Sequence, residues 1–350
     1  MDKRSVFTVP ALRCFMEKCL ASAGLPSEDA AAVADNLLYS ELQGIRSHGL
    51  TRFAIYLKRV EEGFVKARPS IQITRTVPAV LSVDGDNGLG TVVAARALAA
   101  GMEAVENYGI CAVGVRRSNH FGAAGYYCRL AADRGYISII FTNAPPAMPP
   151  WGGSEAFFGT NPIAFGVPRQ KRPHIIVDMA TSMVARGKII AAAKAGKAIP
   201  DSWALDPDGN PTTDPQAALK GVLLPMAGPK GYALSMIVDH LAGVLQGAAY
   251  GPQIINQYSG IRAEANVGHF IILIKPEAFG DAARYAQRTE EWIYKIKAVP
   301  AMPGVEAVML PGEREWILEQ QQRKDGLQLS QEVVDELLGI AARKGVELAM

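Results

Sequence analysis

The 350-residue sequence predicts an α/β fold, in which a sheet is covered by helices and follows a helical segment. Two observations carry this prediction. Apolar residues recur at helical spacing through the first 60-odd residues, and from about residue 70 short β-rich runs alternate with alanine-rich stretches. Such alternation is typical of layered α/β folds.

Composition narrows the class of protein. The chain has 36 Lys+Arg against 34 Asp+Glu, a net charge of +2, and 49% hydrophobic residues. These values exclude a disordered chain, and they argue against a nucleic-acid or polybasic membrane partner, which would need a concentrated positive field. No apolar run has the length of a membrane span, and the first residues lack the apolar core of a secretory signal. The four cysteines form no CxxC pair and are expected to be buried thiols, so we expect a cytoplasmic protein.

Three helices are predicted in the first segment. The first begins at Pro10, whose fixed φ suits the start of a helix, and ends at Gly24. Ser27 is expected to cap the second, and the third follows Gly49. Each carries one apolar face, formed by Leu12, Phe15, Met16 and Leu20; by Ala30, Val33, Ala34, Leu37 and Leu38; and by Phe53, Tyr56, Leu57 and Val60.

The remaining elements divide the chain into segments 1–70, 71–300 and 301–350, of which the last ends in an amphipathic helix from Ser330. The predicted strands are Ile71–Thr76, Ala79–Val83, Ile110–Val115, Ile137–Thr142, Ile175–Val177 and Phe270–Ile274. The predicted helices between them are Thr91–Tyr108, Gly122–Arg134, Thr181–Lys194 and Gly231–Gln246.

The first candidate site surrounds His48, which Arg52 and Tyr56 follow at helical spacing. In a helix these three side chains project from one face. A guanidinium binds a carboxylate through two hydrogen bonds, and a nearby imidazole exchanges a proton with a hydroxyl on the adjacent carbon. On spacing alone, a solvated helix face explains the three residues equally well.

The second candidate is His120, placed between a β-rich run and a helical stretch, where α/β proteins commonly carry active-site residues. The segment Gly122–Gly125 that follows has side chains small enough for a ligand to approach the backbone, and its free N–H groups are expected to suit a phosphate. The alternative is a histidine that only caps the turn.

No GxGxxG fingerprint or P-loop is present, which disfavours an ordinary Rossmann domain and an NTPase. Three other segments look like backbone cradles for an anion, namely 177–182, 228–232 and 310–313, although plain turns also explain them. The remaining histidines, His174, His240 and His269, are predicted to be structural. Their spacing does not suit zinc, so no metal site is predicted.

Eight motifs occur in order along the chain: Arg46-Ser47-His48-Gly49, Ser118-Asn119-His120-Phe121-Gly122, Gly159-Thr160-Asn161-Pro162, Asp178-Met179-Ala180-Thr181, Ile199-Pro200-Asp201-Ser202-Trp203-Ala204, Pro211-Thr212-Thr213-Asp214-Pro215, Gly228-Pro229-Lys230-Gly231-Tyr232 and Leu310-Pro311-Gly312-Glu313. With them the chain resembles the malate/L-lactate dehydrogenase family over roughly residues 5–345. Residues 199–251 are most similar to the ureidoglycolate-type members.

The resemblance implies a non-Rossmann mixed sheet that binds NAD or NADP, flanked by helices. It also implies a helical lobe in which segment 301–350 packs with the N-terminal helices, and a homodimer with its site in the cleft. His48 and His120 would be the proton-transfer groups, Arg52 would hold the substrate carboxylate, and Tyr56 would support it. The cofactor would be lined by Gly122, Ala123, Ala124, Asp178, Met179, Ala180, Thr181, Ser182, Lys230, Gly231, Pro311, Gly312 and Glu313.

The implied activity is hydride transfer between nicotinamide and a small 2-hydroxy or 2-oxo acid of the malate, lactate or ureidoglycolate type, with no metal. The alternatives are an NADPH-dependent reductase of cyclic imines such as piperideine- or pyrroline-2-carboxylate, and a catalytically silent binding protein. Ureidoglycolate-type members carry a second substrate arginine where this chain has Ala265, with Arg262 three residues earlier. They also carry an acidic residue suited to the NAD ribose where this chain has Pro145, so the sequence does not choose between NAD and NADP.

Overall fold

The computed structural model describes residues 6–349, in which three N-terminal helices precede a mixed succession of strands and helices. In chain order the helices are α1 (Val9–Ser22), α2 (Ser27–Leu42), α3 (Phe53–Glu61), α4 (Gly90–Tyr108), α5 (Ala124–Asp133), α6 (Arg186–Lys194), α7 (Pro215–Lys220), α8 (Pro229–Ala242), α9 (Ala282–Lys297), α10 (Glu313–Asp325) and α11 (Gln331–Lys344). The strands are β1 (Val6–Phe7), β2 (Gln72–Val77), β3 (Val80–Asp84), β4 (Ile110–Ser118), β5 (Ile137–Thr142), β6 (Ile163–Val167), β7 (Ile175–Met179), β8 (Ala204–Leu205), β9 (Val222–Leu223), β10 (Val267–Ile274) and β11 (Leu327–Gln328).

The centre of the molecule is a seven-stranded mixed sheet of order β2-β3-β4-β10-β5-β6-β7. β3 and β4 run parallel, and the other neighbouring strands are antiparallel. Helices α4 and α5 bury small residues such as Ala97 and Ala131 in one core with Val113 and Ile271 of the sheet. The predicted α/β class with a mixed sheet is therefore confirmed.

The two ends of the chain form a second, helical layer. β1 pairs with β11, and the apolar faces of α1, α2 and α3 share one core with α11. Leu12, Phe15 and Leu57 from the N-terminal helices meet Val334 and Leu337 from the C-terminal one. Burial of these side chains is the main stabilising term for helices this short.

Several sequence expectations about local structure are wrong. Ser27 is the first residue of α2 and its side chain makes no capping bond, because Pro26 takes the preceding position. Residues 181–185 are not helical, since the Thr181 N–H is bonded to the Thr160 carbonyl, and α6 begins only at Arg186. Three of the four cysteines are buried thiols, whereas Cys14 is exposed.

Other elements escaped the sequence analysis. β6 is short and contains Gly166, which weakens its strand pattern, and α9 and α10 carry many charged residues and few buried ones. The candidate functional residues lie at the end of the sheet where β4 and β5 finish. Because β10 runs antiparallel to β4 and β5, its first residues lie beside the last residues of both neighbours.

Candidate active site

The candidate residues meet at this edge of the sheet. His120 lies in the loop between β4 and α5, while His48 and Arg52 lie in two 3-10 turns, Arg46–His48 and Leu50–Arg52, just before α3. Tyr56 is buried in α3 itself. The structure thus brings together all four residues that the sequence predicted as catalytic.

The condition under which the sequence analysis placed them on one face, a helix running through His48, is not met, because the backbone breaks at Gly49, where ψ is −141°. A Cβ at Gly49 would lie 2.2 Å from Oε2 of Glu41, the carboxylate oxygen that accepts the Leu50 N–H at 3.0 Å. Glycine is therefore required where the chain passes α2. Despite the break, the two 3-10 turns still place His48 and Arg52 in one pocket with His120.

The two imidazoles stack on each other, with ring centroids 5.4 Å apart and planes inclined by 23°. Nδ1 of His120 is 2.5 Å from the Tyr56 hydroxyl, and Nδ1 of His48 is 2.9 Å from the hydroxyl of Ser47. Within residues 6–349, neither Nε2 has a hydrogen-bond partner. Nε2 is consequently the atom of each ring that remains for exchange of a proton with a ligand.

Both imidazoles are neutral at pH 7. Burial, reinforced by the positive charge of Arg52, lowers the pKa of His48 to about 4. Burial also holds the pKa of His120 well below its usual value, with His48 and Arg52 acting in the same direction. The Tyr56 hydroxyl stays protonated, because burial raises its pKa. In this state the pocket contains proton acceptors beside a fixed positive charge.

Arg52 is oriented by two contacts. Its Nε donates to the Ser47 carbonyl at 2.6 Å, and its terminal nitrogen donates to the hydroxyl of Tyr258. Sequence analysis missed Tyr258 as a site residue, because it approaches from a loop 206 positions further along the chain and no local pattern marks it.

These groups line a cavity of about 300 Å³, which we call the histidine pocket. Its walls come from the 3-10 turns, the loops after β4 and β5, and positions within 160–162, 180–187 and 255–267. They include Ser47, His48, Arg52, Asn119, His120, Phe121, Thr142, Asn143, Pro145, Arg186, Gln257, Tyr258, Ala265 and Val267. None of the lining residues is an aspartate or a glutamate. The pocket thus favours an anionic ligand.

A second cavity of about 510 Å³, the adjoining cleft, shares His48, Gly122 and Ala180 with the histidine pocket. It is lined by Gly122, Ala123, Ala124, Asp178, Ala180, Pro311 and Gly312 from the predicted cofactor set, together with Tyr39, Gln43 and Glu315. Gly122 has φ +78°, and a Cβ there would lie 1.8 Å from Oδ1 of Asn36. Gly312 has φ +82°, and a Cβ would lie 3.0 Å from the Ile176 carbonyl. At both positions only glycine fits, so main chain forms part of the cleft wall.

The other predicted cofactor residues lie outside both cavities. Met179 is exposed on β7, Thr181 and Ser182 bond to neighbouring backbone carbonyls, and Glu313 pairs with Lys297 and accepts the Leu310 N–H. Lys230 and Gly231 lie in the first turn of α8, where Lys230 is exposed and Gly231 is buried.

The expected phosphate position at the start of α5 is wrong. Oδ2 of Asp178 accepts the Gly125 N–H at 2.7 Å, so a carboxylate already occupies this helix terminus. A phosphate there would meet a like charge. Asp178 therefore acts as a helix cap as well as a residue of the cleft wall.

The structure also places the two positions at which the chain departs from the ureidoglycolate-type pattern. Ala265 and Pro145 both line the histidine pocket. Arg262 does not take the place of a pocket arginine, since its guanidinium donates to the Glu62 carbonyl at 2.8 Å and lies 5.7 Å from the centroid of the Phe64 ring.

The remaining histidines have separate environments. His174 bonds to Asp133 at 2.9 Å, His240 is exposed on α8, and His269 is fully buried between the hydroxyls of Ser118 and Thr142. Across residues 6–349 no three His, Cys, Asp or Glu side chains cluster as a metal site would require. Nor does this range contain a helix with the length and hydropathy needed to cross a bilayer.

Comparison with known proteins places this geometry in context. A sequence model described as malate/L-lactate dehydrogenase matches residues 7–338. The L-sulfolactate dehydrogenase of Methanothermobacter thermautotrophicus is 37% identical over 333 residues, which cover 95% of each chain. The ureidoglycolate dehydrogenase (NAD(+)) of Escherichia coli K12 is 34% identical over 330 residues, 94% of each chain.

Two solved structures extend the match to three dimensions. The sulfolactate dehydrogenase from Methanocaldococcus jannaschii superposes with a TM-score of 0.93 at 34% identity, covering 98% of both chains. The delta1-piperideine-2-carboxylate reductase from Pseudomonas syringae pvar. tomato gives a TM-score of 0.87 at 29% identity, over 96% of this chain and 100% of that one.

Proposed function

Since this chain belongs to the malate/L-lactate dehydrogenase family and is therefore a nicotinamide-dependent dehydrogenase, we propose that its histidine pocket interconverts a small 2-hydroxy acid and the matching 2-oxo acid. One observation carries the proposal. Arg52 and the two neutral imidazoles converge in a pocket without acidic lining residues, directly beside a larger cleft.

Arg52 anchors the substrate carboxylate. Its guanidinium is held by the Ser47 carbonyl and the Tyr258 hydroxyl, and it can bind a carboxylate through two parallel hydrogen bonds. The lack of acidic lining residues leaves its charge without a competitor in the pocket. The carbon next to the carboxylate is then held beside the stacked imidazoles.

The imidazoles transfer the hydroxyl proton. A neutral Nε2 accepts it during oxidation, and the same nitrogen returns it during reduction. The charge that forms on the ring is stabilised by the bound carboxylate, while the hydroxyls of Tyr56 and Ser47 keep Nδ1 of each ring oriented. We assign proton transfer to the pair, because both rings line the pocket.

The adjoining cleft fits the nicotinamide cofactor, which supplies or accepts the hydride. Small side chains and glycine main chain at Gly122–Ala124 and Gly312 allow a flat ring and a sugar to approach closely. Ala180 lines both cavities and so lies where a ligand of the cleft would meet a ligand of the pocket. The residues proposed to hold the cofactor are Gly122, Ala123, Ala124, Asp178, Ala180, Pro311 and Gly312. A role for Met179, Thr181, Ser182, Lys230, Gly231 or Glu313 stays a prediction.

The test is a panel of malate, lactate, sulfolactate, ureidoglycolate and diketogulonate, each with NAD and with NADP, followed by absorbance of the reduced nicotinamide. We expect turnover of at least one hydroxy acid, and a rise in Tm with the preferred dinucleotide because the ligand binds only the folded state. The absence of turnover together with the absence of binding by calorimetry would leave the silent binding protein as the better account.

A second candidate is reduction of a cyclic imine. Its support is the lowered pKa of both imidazoles, which leaves little of either ring protonated and able to donate at pH 7, and the structural match to a piperideine-2-carboxylate reductase. A protonated imine needs no such donor. Oxidation of NADPH by a mixture of 2-oxo acid and methylamine, well above the rate with the 2-oxo acid alone, would favour this candidate.

We also propose a homodimer built on α8, which presents an exposed apolar strip that continues past the helix end. The strip includes Leu234, Ile237, Val244 and Leu245, and Ile237 is 50% exposed. Ile237→Lys is expected to convert a dimer into a monomer in light scattering, and a monomeric wild type would contradict the proposal. The cytoplasmic location stays a prediction.

A further inference from the structure

Arg59 is a buried arginine directly behind the histidine pocket. It lies in α3, one turn after Tyr56, and is 5% exposed. Its guanidinium donates to the Gln257 carbonyl at 3.1 Å and lies 3.5 Å from Oδ1 of Asn119, with the Phe64 ring centroid 5.5 Å away.

Arg59 has no carboxylate partner within ion-pair distance in the described part of the chain. Burial lowers its pKa, yet a guanidinium stays protonated throughout the physiological range. Other largely buried arginines are paired, Arg129 with Glu319 and Arg169 with Glu290. An unpaired buried charge is costly to retain, which makes its position informative.

Asn119 and Gln257, the two residues to which Arg59 donates hydrogen bonds, belong to the wall of the histidine pocket. Asn119 directly precedes His120, and its amide is fixed further by Gly88, whose carbonyl accepts from it at 2.8 Å. Gln257 directly precedes Tyr258, the hydroxyl partner of Arg52. The Arg59 guanidinium therefore connects two loops of the pocket wall. One loop carries His120, and the other carries Tyr258, which orients Arg52.

We propose that Arg59 is a positioning residue that also supplies a positive charge for selecting anionic substrates, from behind the wall and in addition to Arg52 and Arg186 in the lining. This inference rests on the proposed function. Arg52 binds the carboxylate directly, whereas Arg59 contributes through the wall, where the field is only weakly screened because water is excluded. The pocket contains no acidic lining residue to cancel that field.

Three variants separate charge from packing. Arg59→Gln and Arg59→Met remove the charge with different side chains, and Arg59→Lys retains it without the planar fork. Steady-state kinetics at saturating dinucleotide would compare the preferred 2-oxo acid with its uncharged amide, and thermal melting would confirm that each variant is folded.

We expect Arg59→Gln and Arg59→Met to raise KM for the 2-oxo acid about tenfold and KM for the amide less than threefold, since a charge effect of this size is typical of a partly screened ion pair. Arg59→Lys should keep the wild-type ratio of the two KM values. Equal losses on acid and amide, or an Arg59→Lys variant that behaves like Arg59→Gln, would overturn the charge role. A wild type inactive on every 2-oxo acid would instead count against the proposed function itself.

Discussion

The histidine pocket and the adjoining cleft share a wall, yet they are made from different kinds of group. In the pocket the working parts are long side chains, chiefly His48, Arg52 and His120, and no acidic residue lines it. The cleft has small residues and glycine main chain at 122–124 and 312 beside larger side chains such as Tyr39, and its lining includes the carboxylates of Asp178 and Glu315. On the proposed assignment, the pocket would select its ligand by charge and proton affinity, and the cleft would select its ligand mainly by shape.

The largest effect should follow removal of an imidazole from the pocket. His120→Gln and His48→Gln each delete a candidate proton acceptor while approximating its size. We expect the variant that lacks the principal acceptor to lose about 10²–10⁴-fold in kcat, the usual contribution of general acid–base catalysis. Stopped-flow and steady-state measurement of hydroxy-acid oxidation would show which ring it is. If both variants keep kcat within tenfold of wild type, the pocket does not work through its histidines.

Arg52→Ala sharpens the assignment of charge to the pocket. We expect kcat/KM for a 2-oxo acid to fall about 100-fold, because hydrogen bonds to charged groups contribute up to about 3 kcal/mol. The matched control is Lys58→Ala, which removes an exposed cation from α3, the helix that directly follows the turn carrying Arg52. An analogue without the carboxylate should be far less sensitive to Arg52→Ala, and an equal loss on both substrates would remove Arg52 from the anchor role.

The same contrast explains which parts of the site the sequence could predict. His48, Arg52 and His120 are chemically distinctive residues near turns, so their pattern reveals them even though the helix assumed to carry them is broken at Gly49. The cleft depends on how distant segments approach one another, as Gly312 approaches Ile176. A contact between segments so far apart in the chain leaves no pattern in the local sequence.

The fold, like the site, has parts that the sequence predicts and parts that it does not. A strand rich in β-branched residues, such as β5, is predicted to the residue, whereas the sequence analysis misses β6, which contains a glycine. In residues 181–185, only Met183 and Ala185 favour a helix. Backbone bonds of Thr181 to Thr160 and of Met183 to Leu224 hold the segment outside one. Tyr258 reaches Arg52 from a distant loop for the same reason: only the folded chain brings them together.

A test of shape in the cleft uses two adjacent residues. Ala180 lines both cavities, whereas Met179 lies outside them and is 40% exposed. Ala180→Leu should raise the Kd for the preferred dinucleotide about tenfold, because the added methylenes enter space that the ligand needs. Met179→Leu should leave it unchanged in calorimetry. An equal change of Kd in the two variants would mean that Ala180 does not line the dinucleotide site.

The smallest expected effect concerns the buried imidazole behind the pocket. Phe121 stacks on His269 with centroids 4.5 Å apart, and both ring nitrogens of His269 are hydrogen-bonded to hydroxyls. Burial lowers the pKa of His269 to about 3. Between pH 6.5 and this value, His269 is therefore protonated in the unfolded chain and neutral in the folded chain. The free energy of unfolding must therefore fall as pH drops, by about 1 kcal/mol between pH 6 and pH 5 from this residue.

His269→Gln removes that contribution while retaining a group that can bond to both hydroxyls. Urea unfolding at the two pH values should show a loss smaller by this amount in the variant than in wild type, whereas equal losses would mean that His269 is protonated in the folded protein.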